Sequence, residues 1–246
     1  MFGPYTESSL DISVVIPVFN EEDNLVPLLE ELEPVLKRTG KSYEVIFVDD
    51  RSTDSSMDVL KKIKASNPYV RIIPHLVNSG ESASSATGIA HAKGAVIITI
   101  DADQQNDPAD IPHMLEELKD DVSAICGVRR KRMDTIVKKI SSRVANAFRN
   151  FITGDRISDA GCTFRAIRRS SLWQLQIFNG THRFLPTLLR LQGYKVLETL
   201  VNDRPRTRGQ SKYGIGNRMW RGILDCFAMR WFKKRCVRGD RVGKEI

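Results

Sequence analysis

The chain has 246 residues, a net charge of +8 and 41% hydrophobic residues, so it can bury a sizeable core in one domain, with or without an appendage. Its four cysteines are widely scattered and form no C-x-x-C pair, which argues against a zinc site or a disulfide framework and favours a reducing compartment. The first residues lack the pattern of a secretory signal, and no apolar run approaches the ~18 residues of a membrane span. We therefore expect a soluble or peripheral protein.

Positive charge is concentrated in the second half of the chain. Residues 129–156 hold nine Lys or Arg against two acids, and residues 204–246 hold thirteen against three. This asymmetry indicates an anionic partner, of which nucleic acid, a phosphate-bearing substrate and a membrane surface are the three kinds to weigh. A solvated basic face is the alternative interpretation. No motif that reads RNA or DNA is present, so we expect no nucleic-acid partner.

The first hundred residues alternate between strand and helix patterns. Nearly continuous apolar runs typical of strands buried on both faces occupy 12–19, 43–50, 70–76 and 95–102. Helical patterns lie between them at 21–38, 54–65 and 82–92. Ser52 and Thr53 are candidate caps of the second helix, and the third is rich in small residues that suit close packing on a sheet. The alternation predicts right-handed βαβ units and a parallel sheet.

Polar and acidic residues follow three of these strands, at the edge where parallel sheets bind ligands. They are Pro17, Phe19, Asn20 and Glu21 after the first strand, Asp49 and Asp50 after the second, and Asp101 and Asp103 after the fourth. Such a convergence predicts a site at this edge of the sheet.

Asp101 and Asp103 are the strongest candidates for metal ligands. On an ideal strand, residues two apart point the same way, and two such carboxylates repel unless a cation lies between them. Mg²⁺ typically binds one or two carboxylates together with substrate phosphate oxygens, and Gln105 adds an amide oxygen on the same side. The alternative is an acidic helix cap, which explains Asp107 before Pro108 better than it explains the pair.

The second half is less regular. Strand patterns occur at 123–129, 163–169 and 194–201, and helical patterns at 134–153, 182–192 and 215–236. The last helix sets Trp and Phe beside Lys and Arg, which is typical of a helix lying on an anionic membrane; docking on the core or on a partner is the alternative. We predict two units, residues 1–210 and a basic amphipathic extension at 211–246.

Five ordered motifs resemble a known family. They are "VVIPVFNEEDNL", "YEVIFVDDRSTD", "NSGESASSATGIAHAKGAVIITIDADQQNDP", "DAGCTFRAIRR" and "RPRTRGQSKYG". Together they are similar to family 2 glycosyltransferases of the polyprenyl-phosphate branch, such as dolichol-phosphate mannose synthases and undecaprenyl-phosphate sugar transferases. The resemblance implies an α/β GT-A (Rossmann-like) fold with a mostly parallel central sheet and a C-terminal amphipathic helix. Two departures stand out: Arg51 replaces the usual glycine after the paired aspartates, and Gln104 replaces a leucine.

The resemblance also implies residue roles. Pro17, Phe19 and Glu21 would line the nucleotide pocket, and Asp50, alone or together with Asp49, would hydrogen-bond the base. Asp101, Asp103 and Gln105 would hold Mg²⁺ or Mn²⁺ on the donor diphosphate. Arg206, Ser211 and Lys212 would bind the donor phosphates, and Arg129 and Arg143 would bind the acceptor phosphate. Asp103, Asp159 and Arg206 would be the catalytic set. A surface charge is the alternative for each arginine, and an ion pair with Arg165 is the alternative for Asp159.

The implied reaction is metal-dependent, inverting transfer of a sugar from a UDP- or GDP-sugar to undecaprenyl or dolichyl phosphate, by a peripheral enzyme at the cytoplasmic membrane face. A separate membrane subunit or a homo-oligomer is compatible with it. Two rivals remain: a family 2 enzyme that acts on a saccharide or other hydroxyl acceptor, and a non-catalytic nucleotide-sugar binding module. The donor nucleotide, the sugar and the lipid chain stay open.

Overall fold

The computed structural model describes residues 9–130, 136–172, 175, 177–205 and 215–236, with side chains except at 136–143 and 215–221. Its centre is one seven-stranded sheet, made of β1 (Leu10–Val18), β2 (Tyr43–Asp49), β3 (Val70–Pro74), β4 (Gly94–Thr99), β5 (Ala124–Arg129), β6 (Arg165–Arg168) and β7 (Val196–Val201). The strand order is β3-β2-β1-β4-β6-β5-β7. β6 runs antiparallel to both of its neighbours, and all other pairs are parallel.

The helices flank this sheet on two sides. They are α1 (Leu25–Arg38), α2 (Ser56–Ser66), α3 (Glu81–His91), α4 (Ile111–Glu117), α5 (Ile136–Thr153), α6 (Thr181–Leu191) and α7 (Ile215–Arg235), with 3-10 turns at Pro108–Asp110 and Arg169–Leu172. In β2, Val45 and Phe47 belong to the core shared with α1 and α2, whereas Ile46 and Val48 belong to the core shared with α3, α6 and α7. Alternate side chains thus enter opposite cores, which explains the continuous apolar runs.

The third helix packs unusually close to the sheet. A Cβ placed on Gly88 of α3 would lie 2.3 Å from Cγ1 of Val15 in β1, closer than carbon atoms approach in a packed core. The small residues of this helix therefore let its backbone come down onto the strand, as the Ala-rich sequence predicted.

The predicted strands and helices are confirmed, with shifts at their ends. The first helix begins at Leu25 rather than 21, because Asn20 to Asn24 form a polar turn. The prediction of caps at Ser52 and Thr53 was wrong: Ser55 precedes α2, and both hydroxyls instead bond to Asn20. Asp107 caps the turn that starts at Pro108 by accepting from the N–H of Ala109.

The C-terminal helix is docked on one side and exposed on the other. Cys226 and Met229 of α7 are buried in the core, and Lys233 donates to the last carbonyls of α5. Among the described side chains of these two helices, six large apolar ones are exposed, and we call them the α5–α7 face: Val144, Phe148, Phe151, Leu224, Phe227 and Trp231. None of the helices in the described part of the chain is long and apolar enough to cross a membrane.

Candidate active site

The loops that follow β1 and β2 are tied together. The side-chain oxygen of Asn20 accepts from the N–H of Thr53 at 2.7 Å, and Ser56 accepts from the N–H of Glu21 at 2.8 Å. Pro17, Phe19 and Glu21, predicted to line the nucleotide pocket, are all half-buried at this edge of the sheet. The structure therefore brings the first group of predicted residues next to the second.

The two adjacent aspartates after β2 have different surroundings. Asp50 is buried, and its carboxylate accepts from the N–H groups of Ser79 and Gly80 at 2.8 and 2.7 Å and contacts His75. Asp49 is also buried, but its Oδ1 has no hydrogen-bond partner among the described residues. A buried acceptor without a donor is costly. Asp49 thus offers a position for an N–H group of a ligand, while Asp50 holds the loop before α3.

Three residues at this edge have an unusual backbone conformation. Asn20, Arg51 and Gln104 follow β1, β2 and the end of β4, and their φ angles are 54°, 63° and 60°. This left-handed region is uncommon for residues other than glycine and recurs at ligand-binding turns. Each of these residues allows the chain to turn sharply soon after its strand, at the edge of the sheet where the carboxylates lie.

The carboxylates after β4 lie in a turn rather than on a strand. β4 ends at Thr99, so the expectation that an ideal strand aligns Asp101 and Asp103 was wrong. Asp101 accepts from the hydroxyl of Thr163 at 2.6 Å, and Asp103 accepts from the N–H of Gln105 at 3.1 Å. The side-chain amide of Gln105 donates to the carbonyl of Arg204.

The charges around Asp101 favour a cation. Burial, then the negative charges of Glu81 and Asp103, raise the pKa of Asp101 to about 7. A bound divalent ion would favour the ionised carboxylate and oppose this shift. The described residues contain no cluster of three or more His, Cys, Asp or Glu that could hold a metal alone. Two carboxylates fit an ion that also binds substrate oxygens, as Mg²⁺ commonly does.

Arg129 and Asp159 form one ion pair. Nε of Arg129 donates to Oδ2 of Asp159 at 2.7 Å, and Nη2 donates to Oδ1 at 2.9 Å. The alternative pairing of Asp159 with Arg165 is contradicted, because Arg165 donates to the carbonyls of His182 and Cys162. The predicted acceptor-phosphate residue and the predicted catalytic acid are therefore direct partners.

The chain that leads to the predicted phosphate-binding motif is anchored at the site. The N–H of Arg204 donates to the carbonyl of Gln105 at 2.8 Å, and its guanidinium binds Glu31 and Asp107. Arg206, Ser211 and Lys212 lie outside the described residues, as does the side chain of Arg143. Their roles remain predictions.

A second group of residues near Asp101 was missed by the sequence analysis. The hydroxyl of Ser82 in α3 lies 2.6 Å from Nδ1 of His182 in α6, and Nε2 of that ring lies 3.7 Å from Glu81. Glu81 and His182 stand 101 positions apart in sequence, and no spacing rule joins them. Only the contact between the starts of α3 and α6 brings them together.

Comparison with known proteins identifies the family. The model of glycosyl transferase family 2 matches residues 13–176. The chain belongs to glycosyl transferase family 2. This assignment confirms the prediction of a glycosyltransferase.

The similar curated proteins act on polyprenyl phosphates by name. Dodecaprenyl-phosphate galacturonate synthase of Rhizobium johnstonii is 35% identical over 92% of this chain and 68% of that protein. Undecaprenyl-phosphate 4-deoxy-4-formamido-L-arabinose transferase of Edwardsiella ictaluri is 34% identical over 83% of this chain and 63% of that protein. These matches confirm the resemblance to the polyprenyl-phosphate branch. The chain spans roughly two thirds of the length of these relatives.

Solved structures confirm the GT-A fold. Glucosyl-3-phosphoglycerate synthase from Mycobacterium tuberculosis, in complex with Mn²⁺, UDP and phosphoglyceric acid, gives a TM-score of 0.68 at 19% identity, over 90% of this chain and 79% of that one. A mannosyltransferase from Pyrobaculum calidifontis, in complex with GDP-Man and Mn²⁺, gives 0.62 at 19% identity, over 96% and 65%. At such identities the likeness concerns the fold.

Proposed function

We propose that this enzyme transfers a sugar from a nucleotide-diphosphate sugar to a polyprenyl phosphate at the cytoplasmic surface of a membrane, with Mg²⁺ or Mn²⁺ as cofactor. The observation that carries the proposal is the carboxylate pair Asp101 and Asp103 in a partly buried turn after β4, at the same edge of the sheet as the orphaned acceptor of Asp49 at the end of β2, with β1 between the two strands. One end of this site suits a metal-bound diphosphate and the other suits a base. The names of the curated relatives support the lipid acceptor.

The donor side follows from the placement of the acidic groups. Asp49 would accept from an N–H of the base, within a pocket walled by Pro17, Phe19 and Glu21. Asp101, Asp103 and Gln105 would hold the divalent ion, which when bound offsets the negative charge that grows on the departing diphosphate. Arg206, Ser211 and Lys212 would add donors to the same phosphates, because the chain enters that motif directly from the contact of Arg204 with Gln105.

The acceptor needs little activation. The second pKa of a phosphate lies near 6, so its oxygen is largely ionised at neutral pH and can attack without a general base. In the described structure Asp159 is bound to Arg129, so its first role is to fix that arginine beside the end of β5. Arg129 and Arg143 would then help to lower the repulsion between two anions. A single displacement inverts the anomeric carbon.

Membrane contact is part of the proposal. The α5–α7 face carries Phe151, Phe227 and Trp231, which are 79%, 51% and 64% exposed. Lys233, Lys234 and Arg235 follow on the same helix. Aromatic residues next to basic residues bind the interface of anionic bilayers. Residues 211–246 would therefore be a membrane-associating extension that is docked on the enzyme through α5.

The experiment is transfer from a panel of labelled UDP- and GDP-sugars to undecaprenyl and dolichyl phosphate, in the presence of membranes. We expect a lipid-linked sugar that forms with Mg²⁺ or Mn²⁺ and not with excess EDTA. Asp103→Asn should lower kcat by about a hundredfold or more, because it removes half of the charge that holds the ion.

The matched control is Asp110→Asn, an acid on the same connection that bonds to Asn202 rather than facing the site. It should keep activity within about twofold. Sugar transfer to saccharide hydroxyls alone would contradict the lipid acceptor, and donor binding without any product would favour a binding module.

A further inference from the structure

The proposed reaction brings a second anion, the lipid phosphate, to a site that already holds a diphosphate. Phosphate binding needs N–H donors that a carboxylate of the protein does not already occupy. Arg129, which the family resemblance assigns to this phosphate, is engaged through two of its nitrogens by Asp159. A ligand at Arg129 must compete with that pair.

Among the described residues, Arg183 forms no ion pair with a carboxylate. It lies in the first turn of α6, where it is half-buried. Its Nε donates to Nε2 of His182 at 3.2 Å, and no carboxylate of the described residues lies within ion-pair distance of it. The terminal nitrogens of an arginine carry further N–H donors in a planar fork that matches phosphate oxygens. These donors of Arg183 have no partner in the described structure.

His182 connects Arg183 to the carboxylate site. Its backbone carbonyl accepts from Arg165 at 2.7 Å, and Thr163, two residues before Arg165, donates to Asp101. The imidazole contacts Ser82 at 2.6 Å and lies 3.7 Å from Glu81. Since Nε2 accepts from Arg183, the ring proton is on Nδ1 and points to Ser82. Arg183 is thus linked through His182 to Glu81, whose negative charge acts on Asp101.

On its other side Arg183 lies against helix α7. A Cβ on Gly222 of α7 would lie 3.4 Å from Nη1 of Arg183, so the helix packs against the guanidinium at this glycine. Leu224, two residues further along α7, is 65% exposed. Arg183 therefore lies against the docked side of α7, the side of Cys226, and Leu224 belongs to the exposed apolar side of the same helix.

We propose that Arg183, supported by His182, binds the phosphate of the lipid acceptor. The ligand class is a prenyl phosphate monoester, in which the guanidinium takes the phosphate oxygens and α7 takes the chain. The inference rests on the proposed function, because only a lipid acceptor requires a phosphate-binding position between the carboxylate site and the α5–α7 face.

The test is calorimetric binding of farnesyl phosphate to the full chain, with inorganic phosphate and farnesol as comparison ligands. We expect the wild type to bind farnesyl phosphate more tightly than either comparison ligand. Arg183→Gln should weaken that binding about tenfold or more, and Arg183→Lys, which keeps the charge but loses the fork, should fall between them. Arg38→Gln, which removes an exposed charge at the end of α1, should bind as the wild type does.

The kinetic readout separates binding from a general structural effect. Arg183→Gln should raise KM for the lipid phosphate while KM for the nucleotide sugar stays within about twofold. Unchanged affinity in Arg183→Gln, equal loss of donor and acceptor binding, or equal affinity of the wild type for inorganic and farnesyl phosphate would each overturn the inference. Tight binding of farnesyl phosphate through Arg183 without any sugar transfer would instead overturn the proposed function.

Discussion

At the scale of single residues, Arg51 is the clearest case of a side chain held in an unfavourable backbone conformation. Its φ of 63° is one that glycine adopts without strain, and its side chain is exposed. The family resemblance implies that a glycine is usual at this position. A left-handed conformation costs an L-residue roughly 1 kcal/mol or more.

Arg51→Gly should therefore raise the free energy of unfolding by about 1 kcal/mol, since it removes the strain of the turn. Urea denaturation followed by circular dichroism measures the change. Lys62→Gly is the control, because the same replacement of an exposed basic residue inside α2 should lower stability by about 1 kcal/mol. A loss of stability in Arg51→Gly would mean that the side chain contributes more than the strain costs.

Residue types and spacing predicted the nearby acids but not how they divide their roles. Asp49 and Asp50 are identical in type and adjacent, yet one is saturated by loop N–H groups and the other has an unpaired oxygen. The difference arises from the path of residues 78–80, which no local pattern encodes. The pairing of Arg129 with Asp159 was missed because it also depends on how distant segments of the chain fold against each other.

At the scale of secondary-structure elements, the close contact of α3 with β1 is sensitive to the addition of a single methyl group. A Cβ at position 88 would meet Val15 at 2.3 Å and Val48 at 3.2 Å. Gly88→Ala should therefore lower the free energy of unfolding by about 1–3 kcal/mol, although alanine is the better helix former.

The double variant Gly88→Ala with Val15→Ala tests the cause. Removing Cγ1 of Val15 makes room for the new methyl group, so the double variant should lose less stability than the sum of the two single variants. Chemical denaturation of all four proteins gives the coupling energy. Simple additivity would show that the helix moves away from the strand instead.

The positions of the first strands could be predicted from the sequence because nearly all of their residues are buried. β1 and β2 contribute to a core on each face, so their apolar runs have no gaps and their ends agree with the prediction within a few residues. The end of β4 was predicted too late because apolar residues continue to Ala102, beyond the last sheet pair at Thr99. The pattern of apolar residues indicates which residues are buried, and buried residues continue beyond the end of β4 at Ile100 and Ala102.

At the scale of the whole molecule, charge and apolar surface coincide. The α5–α7 face is built from the same two helices that lie in the two basic stretches of the sequence. We predict that the protein binds vesicles containing anionic lipid, and that binding weakens as ionic strength rises because the attraction is screened.

Replacing Phe151, Phe227 and Trp231 together by serine should reduce co-sedimentation with such vesicles by about tenfold or more. The control replaces Leu76 and Val77, which are 91% and 67% exposed but lie in the loop after β3, and it should bind as the wild type does. Equal loss in both variants would indicate a general effect of exposed apolar area rather than a defined membrane face.

The strand order also shapes how the enzyme is made. β5 pairs only with β6 and β7, both of which come later in the chain, whereas β1 to β4 pair among themselves as soon as they are complete. On the ribosome the first four strands can assemble into a sheet while β5 waits, apolar and unpaired, through the synthesis of α5. Only the arrival of β6 joins the two halves, so this interval is when the nascent chain is most exposed to aggregation and to chaperones.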